Sequence, residues 1–220
     1  MTEKPLGPLA ILGGTFDPVH RAHLQLATDA RAHLGLAQVL WIPSGNPPHR
    51  ERPRASAEHR LAMVMLAISG NPHFQIDESE VRSGAPSYTV TTLLRLRAIH
   101  GTRPLVLLLG ADAFLGLAGW HRWRELFALA HIAIATRPGY VLDSQAMDDE
   151  LREEYLCRRY GDHSCLSAQA AGSIVTFAIT PLDISASAIR AKLACGQQTQ
   201  DLLTGTVLDY IANNHLYSGH

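Results

Sequence analysis

Two histidines, His20 and His23, stand shortly after the glycine pair Gly13-Gly14, and this is the first place along the chain where side chains could do chemistry. The run reads Gly-Gly-Thr15-Phe16-Asp-Pro-Val-His-Arg-Ala-His. Glycines let a phosphate or a ribose approach the backbone closely. Asp17-Pro18 predicts a helix start, with Asp at the N-cap and Pro at the first helical position. His20 and His23 would then share one face of the first turns, where backbone N–H groups and the helix dipole favour an anion. Two imidazoles there can hydrogen-bond phosphate oxygens, and bound phosphate favours their charged forms. A lone His-x-x-His is more often structural, and a lone Gly-Gly is merely a turn. Their combination after an apolar strand points to phosphate binding. The run is neither the Gly-x-Gly-x-x-Gly of dinucleotide-binding proteins nor a Gly-Lys-Ser/Thr phosphate loop.

A second candidate lies near the carboxyl end, in Ile184-Ser185-Ala-Ser187-Ala-Ile-Arg190. Ser185 and Ser187 are both good N-cap residues, and Ile189 with Leu193 gives an apolar i, i+4 face. Arg190 would lie in the first turns, where its charge opposes the helix dipole unless a polyphosphate sits at the helix end.

The elements that must carry these residues are legible as short apolar runs alternating with helical patterns. Leu9–Leu12, Val39–Ile42, Phe74–Val81, Leu105–Leu109, His131–Ala135 and Ser173–Ile179 read as strands. Helical patterns run from Pro18 to Leu34, Ser56 to Ala67 (capped by Ser56), Tyr88 to Ile99 and Trp120 to Leu129, and the chain ends in helices. Strands alternating with helices predict an α/β fold with a parallel sheet covered on both faces. Ligands of such sheets bind at the carboxyl ends of the strands. That selects the loops after Leu12, Ile42, Leu109, Ala135 and Ile179, all of which carry polar or glycine residues. The segment 147–172 reads as a surface helix and loop of little functional information.

A net charge of −1 with no long run of like charge argues against an electrostatically driven nucleic-acid binder. Cys157, Cys165 and Cys195 suit no common zinc spacing and read as free thiols of a reducing compartment. No apolar stretch reaches the ~20 residues of a membrane span, and the expected location is the cytoplasm.

The Gly13–His23 run resembles the first signature of the nucleotidyltransferase superfamily with an HxGH-type motif, with Ala22 in the place of the glycine. Ile184–Arg190 resembles the second, Ile-Ser-x-Thr-x-x-Arg, with Ser187 in the threonine place. Further segments are similar to the bacterial nicotinate-mononucleotide adenylyltransferases. They are Pro43-Ser-Gly-Asn46-Pro-Pro-His49-Arg50, Ser87-Tyr88-Thr89 with Thr92-Leu93, Gly110-Ala-Asp112, Trp120-His121-x-Trp123-x-Glu-Leu126, and Arg137-Pro-Gly139. Arg50 replaces the usual lysine, keeping the charge in a planar fork rather than as a point.

The resemblance implies a Rossmann-like, doubly wound parallel sheet in a single nucleotidyltransferase domain, 1–220, with C-terminal helices. It implies adenylyl transfer from ATP to nicotinate mononucleotide, giving deamido-NAD and pyrophosphate. The catalytic set would be His20, His23 and Arg190. ATP would be bound by Gly13, Gly14, Thr15, Phe16, Gly110, Asp112, Arg137, Ile184, Ser185 and Ser187. The acceptor would be bound by Asn46, His49, Arg50, Tyr88, Thr89, Trp120 and His121. Mg²⁺ would come bound to the ATP phosphates, because no dedicated cage of carboxylates is apparent. Trp120 and Trp123 at i, i+3 suit a core face as well as a stacking platform. The implied division is Trp120 against the pyridine ring and Trp123 buried. The acceptor's carboxylate would meet N–H donors at the helix start of Ser87-Tyr88-Thr89.

Overall fold

A computed structural model describes residues 7–47, 52–140 and 142–218. In chain order its elements are β1 (Leu9–Gly14), α1 (Arg21–Leu34), β2 (Gln38–Pro43), α2 (Ala57–Ile68), β3 (Phe74–Ile76), α3 (Ser79–Ser83), α4 (Thr89–His100) and β4 (Leu105–Gly110). There follow α5 (Ala111–Leu115), α6 (Leu126–Leu129), β5 (His131–Thr136), α7 (Asp149–Arg158), α8 (Cys165–Ala168), β6 (Ile174–Ala178), α9 (Ala186–Ala194) and α10 (Gly205–Asn213). Among the described residues the six strands form one all-parallel sheet in the order β3-β2-β1-β4-β5-β6. This is the doubly wound, Rossmann-like arrangement that the family resemblance implies.

Strand periodicity divides the core into two layers. Ala10, Leu12, Val106, Leu108, Ala133 and Ala135 face one side, where they meet Ala27, Ala30 and Leu34 of α1, Met63 and Val64 of α2, and Val207 and Ile211 of α10. Leu9, Ile11, Leu105, Leu107, Ile132 and Ile134 face the other, against Val90, Leu93 and Leu96 of α4, Phe114 of α5 and Leu151 of α7. Because both faces are covered, the strands read as continuous apolar runs rather than alternating ones.

Three expectations need correction. The strand expected over Phe74–Val81 stops at Ile76. Asp77 then accepts from the Ser79 amide (2.9 Å) and pairs with Arg95, which turns the chain into α3 and buries Val81 as a helical residue. The helix expected over Trp120–Leu129 begins only at Trp123, as a 3₁₀ turn leading into α6, because Arg122 adopts φ 54°. Segment 147–172 is more than a surface covering, since Leu151, Tyr155, Cys165 and Leu166 are buried. Cys157 and Cys195 are exposed, and all three thiols are free.

The parallel sheet brings the five selected loops to one edge. The order reverses direction between β1 and β4, so a crevice opens where the loops after those strands diverge.

Candidate functional site

At the carboxyl end of β1 the two glycines serve different purposes. A Cβ on Gly13 would meet nothing within 4 Å, whereas one on Gly14 would lie 2.8 Å from the Phe16 ring. Gly13 therefore opens toward the crevice, and Gly14 makes room for Phe16. Phe16, which the sequence assigns to ATP, is only 3% exposed and sits at φ 51°. Its ring packs against Trp41 (5.5 Å between centroids) and edge-on to His23 (5.0 Å). Its side chain is a support for the histidine, and only its backbone remains for a ligand.

The expected helix start is displaced. Asp17-Pro18 is a cis peptide, and α1 begins at Arg21 with His20, not Asp17, at the N-cap. The Asp17 carboxylate is instead taken by the backbone N–H groups of Arg54 (2.8 Å) and Ala55 (3.1 Å) and by the Tyr217 hydroxyl (2.7 Å). Two amide donors and a hydroxyl offer a carboxylate more than a single capping bond would.

His20 and His23 stack with ring centroids 3.7 Å apart and planes 26° apart. The His20 backbone N–H donates to His23 Nδ1 at 3.2 Å. Neutral His23 therefore carries its proton on Nε2. His20 is 7% exposed, and its Nδ1 is buried with no partner. Burial lowers its pKa from the ordinary 6.5 to about 4. The His23 pKa is pushed well down by burial and then by His20 beside it. With the site empty, both rings are neutral near pH 7. A phosphate would act in the opposite direction.

Arg190 reaches the same loop from α9. That helix is capped by Ser185, whose Oγ accepts from the Ala188 amide at 3.2 Å. The Arg190 guanidinium donates to the Asp17 carbonyl (2.8 Å) and to Ser187 Oγ (3.3 Å), with the Asp17 carboxylate 3.8 Å away. The helix dipole that opposes Arg190 is thus offset within the chain before any polyphosphate binds. Asp17 is its internal counter-charge, and its side chain remains 27% exposed for a further one. The approach to α9 is pinned by Asp29 of α1, which accepts from the Thr180 amide at 2.7 Å. Ile184 is half-buried against the core, while Ser185 and Ser187 are exposed.

The acceptor-side residues gather around the loop after β2. Ser87 Oγ accepts from the amides of Gly45 (3.0 Å) and Asn46 (3.2 Å), and the Ser87 amide donates to Asn46 O (2.9 Å). Gly45 admits no side chain, because a Cβ there would lie 2.1 Å from the Glu80 carbonyl. Tyr88 is the N-cap of α4, and its side chain makes no cap bond to the helix. The Tyr88 ring lies 4.4 Å from that of His121. Trp120 is half-buried against the second core layer, and Trp123 is buried, as expected. His49 and Arg50 lie outside the described residues.

Gly110 caps α5 and places an exposed Asp112 in its first turn. Arg137 is exposed on a turn closed by Tyr140 N–H to Arg137 O (3.0 Å), with Pro138 and then Gly139 at φ 76° in its middle positions, a type II arrangement.

Three further residues shape the site. Asp17 has the local pattern of a cap, and Tyr217 carries no local signal. Arg60 has one, a charge amid Leu61, Met63 and Val64 on the inward face of α2. Among the described residues no group of three His, Cys, Asp or Glu could hold a metal ion, and no helix is long and apolar enough to cross a membrane.

The cytidylyltransferase-like family model matches residues 11–192. A Dechloromonas aromatica protein named "Probable nicotinate-nucleotide adenylyltransferase" is 54% identical over 96% of this chain and 97% of its own. One of the same name from Aeromonas hydrophila is 43% identical over 96% and 97%. The chain belongs to the nicotinate-nucleotide adenylyltransferases, within the cytidylyltransferase-like family. In structure it is similar to the Plasmodium falciparum nicotinic acid mononucleotide adenylyltransferase complexed with NaAD, at TM-score 0.70 and 16% identity, covering 96% of this chain and 97% of the other. That likeness bears on the fold. Family membership agrees with the motif resemblances at both ends of the site.

Proposed function

We propose that the chain, as a single nucleotidyltransferase domain acting in the cytoplasm, transfers the adenylyl group of ATP to nicotinate mononucleotide, giving deamido-NAD and pyrophosphate in NAD biosynthesis. The observation that carries this reading is the stacked His20–His23 pair at the carboxyl edge of β1, joined through Asp17 to Arg190. The names of the relatives at 54% and 43% identity support the choice of acceptor.

The acceptor's 5′-phosphate oxygen attacks the α-phosphorus of ATP. A bond forms between them, the bond to the α,β-bridging oxygen breaks, and pyrophosphate leaves with that oxygen. No side chain needs to give or take a proton. Catalysis reduces to alignment and charge stabilisation, and orientation alone can account for on the order of 7–11 kcal/mol of barrier. His23 Nε2–H and the His20 ring would donate to the triphosphate. Arg190 and the exposed end of α9 at Ser187 would hold the leaving pyrophosphate. Gly13, Thr15, Asp112 and Arg137 border the nucleotide. Asn46, Tyr88, Thr89, Trp120 and His121 frame the acceptor.

The carboxylate nearest in sequence to the histidines, Asp17, already accepts three hydrogen bonds, and among the described residues no acidic cage stands beside it. These residues fit a Mg²⁺ delivered on the ATP phosphates, where it would neutralise charge.

The test is purified protein with ATP and Mg²⁺, offered nicotinate mononucleotide, nicotinamide mononucleotide and phosphopantetheine in turn, with pyrophosphate measured. Release with the first, far above the other two, is expected. Release with phosphopantetheine alone would overturn the acceptor, and release with none would overturn adenylyl transfer.

A further inference from the structure

Arg60, in the first turn of α2, is only 1% exposed, and it borders a cavity lined also by Gly45, Asn46, Arg54 and Ala55. Its guanidinium spreads over three backbone carbonyls. Nη1 donates to Thr15 O (2.7 Å), Nη2 to Gly45 O (3.1 Å) and Nε to Ala55 O (3.3 Å). Thr15 belongs to the loop after β1, which carries the histidines, and Gly45 to the loop after β2, which leads to Asn46. Ala55 lies just before α2. One planar group therefore ties the donor side of the site to the acceptor side.

The connection continues at both ends. On the acceptor side, Gly45 and Asn46 are fastened to Ser87 at the start of α4. On the donor side, Asp17 holds the amides of Arg54 and Ala55, next to the carbonyl that Arg60 Nε reaches. The loop after β1 is thus stapled twice to the segment that leads into α2. Burial pulls the Arg60 pKa down from its ordinary value, and the Asp17 carboxylate acts against that.

A charge at a core position is costly unless its hydrogen bonds are all met. An apolar side chain of similar length would fill the same space, so packing alone does not require arginine here. The three carbonyls do. Lysine has a point charge rather than a fork and cannot span them in one plane.

We infer that Arg60 is a positioning residue for adenylyl transfer, fixing the separation between the donor loop and the acceptor loop so that the two phosphates meet in line. The inference rests on the function proposed above. Its consequence is specific, because each loop still binds its own substrate without the tie. What is lost is their mutual placement, and a displacement of about 1 Å can cost ~10²-fold in rate.

The experiment compares wild type, Arg60→Met and Arg60→Lys. Melting temperature, kcat and both KM values are measured, with binding of each substrate alone by calorimetry. Activity is also assayed with millimolar guanidinium chloride against equal potassium chloride. The expected result is a kcat lowered ~10²-fold in Arg60→Met, a smaller loss in Arg60→Lys, and KM values within about threefold of wild type. Guanidinium, but not potassium, should restore part of the Arg60→Met rate. Folded variants with wild-type kcat overturn the inference, and so does a loss confined to KM. If neither variant folds, Arg60 is a folding element and the inference fails. A wild type that makes no dinucleotide at all would instead refute the proposed function, so the two failures are distinguishable.

Discussion

The stacked histidines make the free protein sensitive to acid in a calculable way. His20 has a folded pKa of about 4 against an ordinary 6.5, lowered by burial. A histidine whose folded pKa is depressed supports the fold fully above the unfolded value. That support is lost as pH falls, because the unfolded chain takes up a proton that the folded one refuses. At ~1.4 kcal/mol per pH unit, the loss from His20 between pH 6.5 and 4 comes to about 3 kcal/mol at most. His23 shifts in the same direction and adds to the loss. The assay is urea unfolding at pH 7, 6, 5 and 4.5 for wild type and His20→Asn. Asparagine is a good N-cap, so the helix start is kept. Carboxylates protonate in both proteins, and the difference between the two curves isolates the histidine. Wild type should lose stability more steeply below pH 6.5, by up to about 3 kcal/mol, and saturating pyrophosphate should flatten that slope. Parallel curves for the two proteins would show that His20 is not buried as a neutral ring and would refute the argument.

Other outcomes follow from the same geometry. His23→Ala should lower kcat by roughly 10²-fold, the scale of one preorganised donor, and by removing the acceptor of the His20 amide it should cost about 1 kcal/mol of stability; normal turnover would remove His23 from the site. Arg190→Ala should raise KM for ATP and cut turnover, and by losing its bond to the Asp17 carbonyl it should cost about 1 kcal/mol of stability. A large melting shift with unaltered kinetics would mark Arg190 as structural. A site offering N–H donors to a carboxylate should favour nicotinate over nicotinamide mononucleotide by at least ~10²-fold in kcat/KM, since each donor left unpaired costs about 1–3 kcal/mol. Trp120→Ala should slow both acceptors alike while ATP binding persists, and a selective loss of ATP affinity would move Trp120 out of the acceptor side.

Some of this molecule is written locally. The apolar runs at Leu9–Leu12 and Leu105–Leu109 read as buried strands, and their alternation with helical patterns implies a parallel sheet. A parallel sheet implies a functional edge at the strand ends, so the sequence alone selects the five loops there. Ser56 as a cap and the closeness of His20 and His23 needed nothing beyond neighbours in sequence. Motif resemblance supplied the chemistry.

Other features depend on residues far apart in the chain. Asp17-Pro18 has the local pattern of a helix start, but the amides of Arg54 and Ala55 and the hydroxyl of Tyr217 draw the carboxylate away, leaving His20 to cap α1. Arg190 looked electrostatically unsupported because its partner, Asp17, is 173 residues away. Gly14 gives way to Phe16 rather than to a ligand, a matter of one ring's position. The strand after Phe74 ends early because Asp77 meets Arg95 of α4. Arg60 appeared only as a charge in an apolar face. The three carbonyls that give it a purpose are backbone groups, which every residue has, so no sequence pattern marks them. Local propensity and periodicity determine which elements form. Which side chain wins a given hydrogen-bond partner is decided only when the folded chain brings the competitors together.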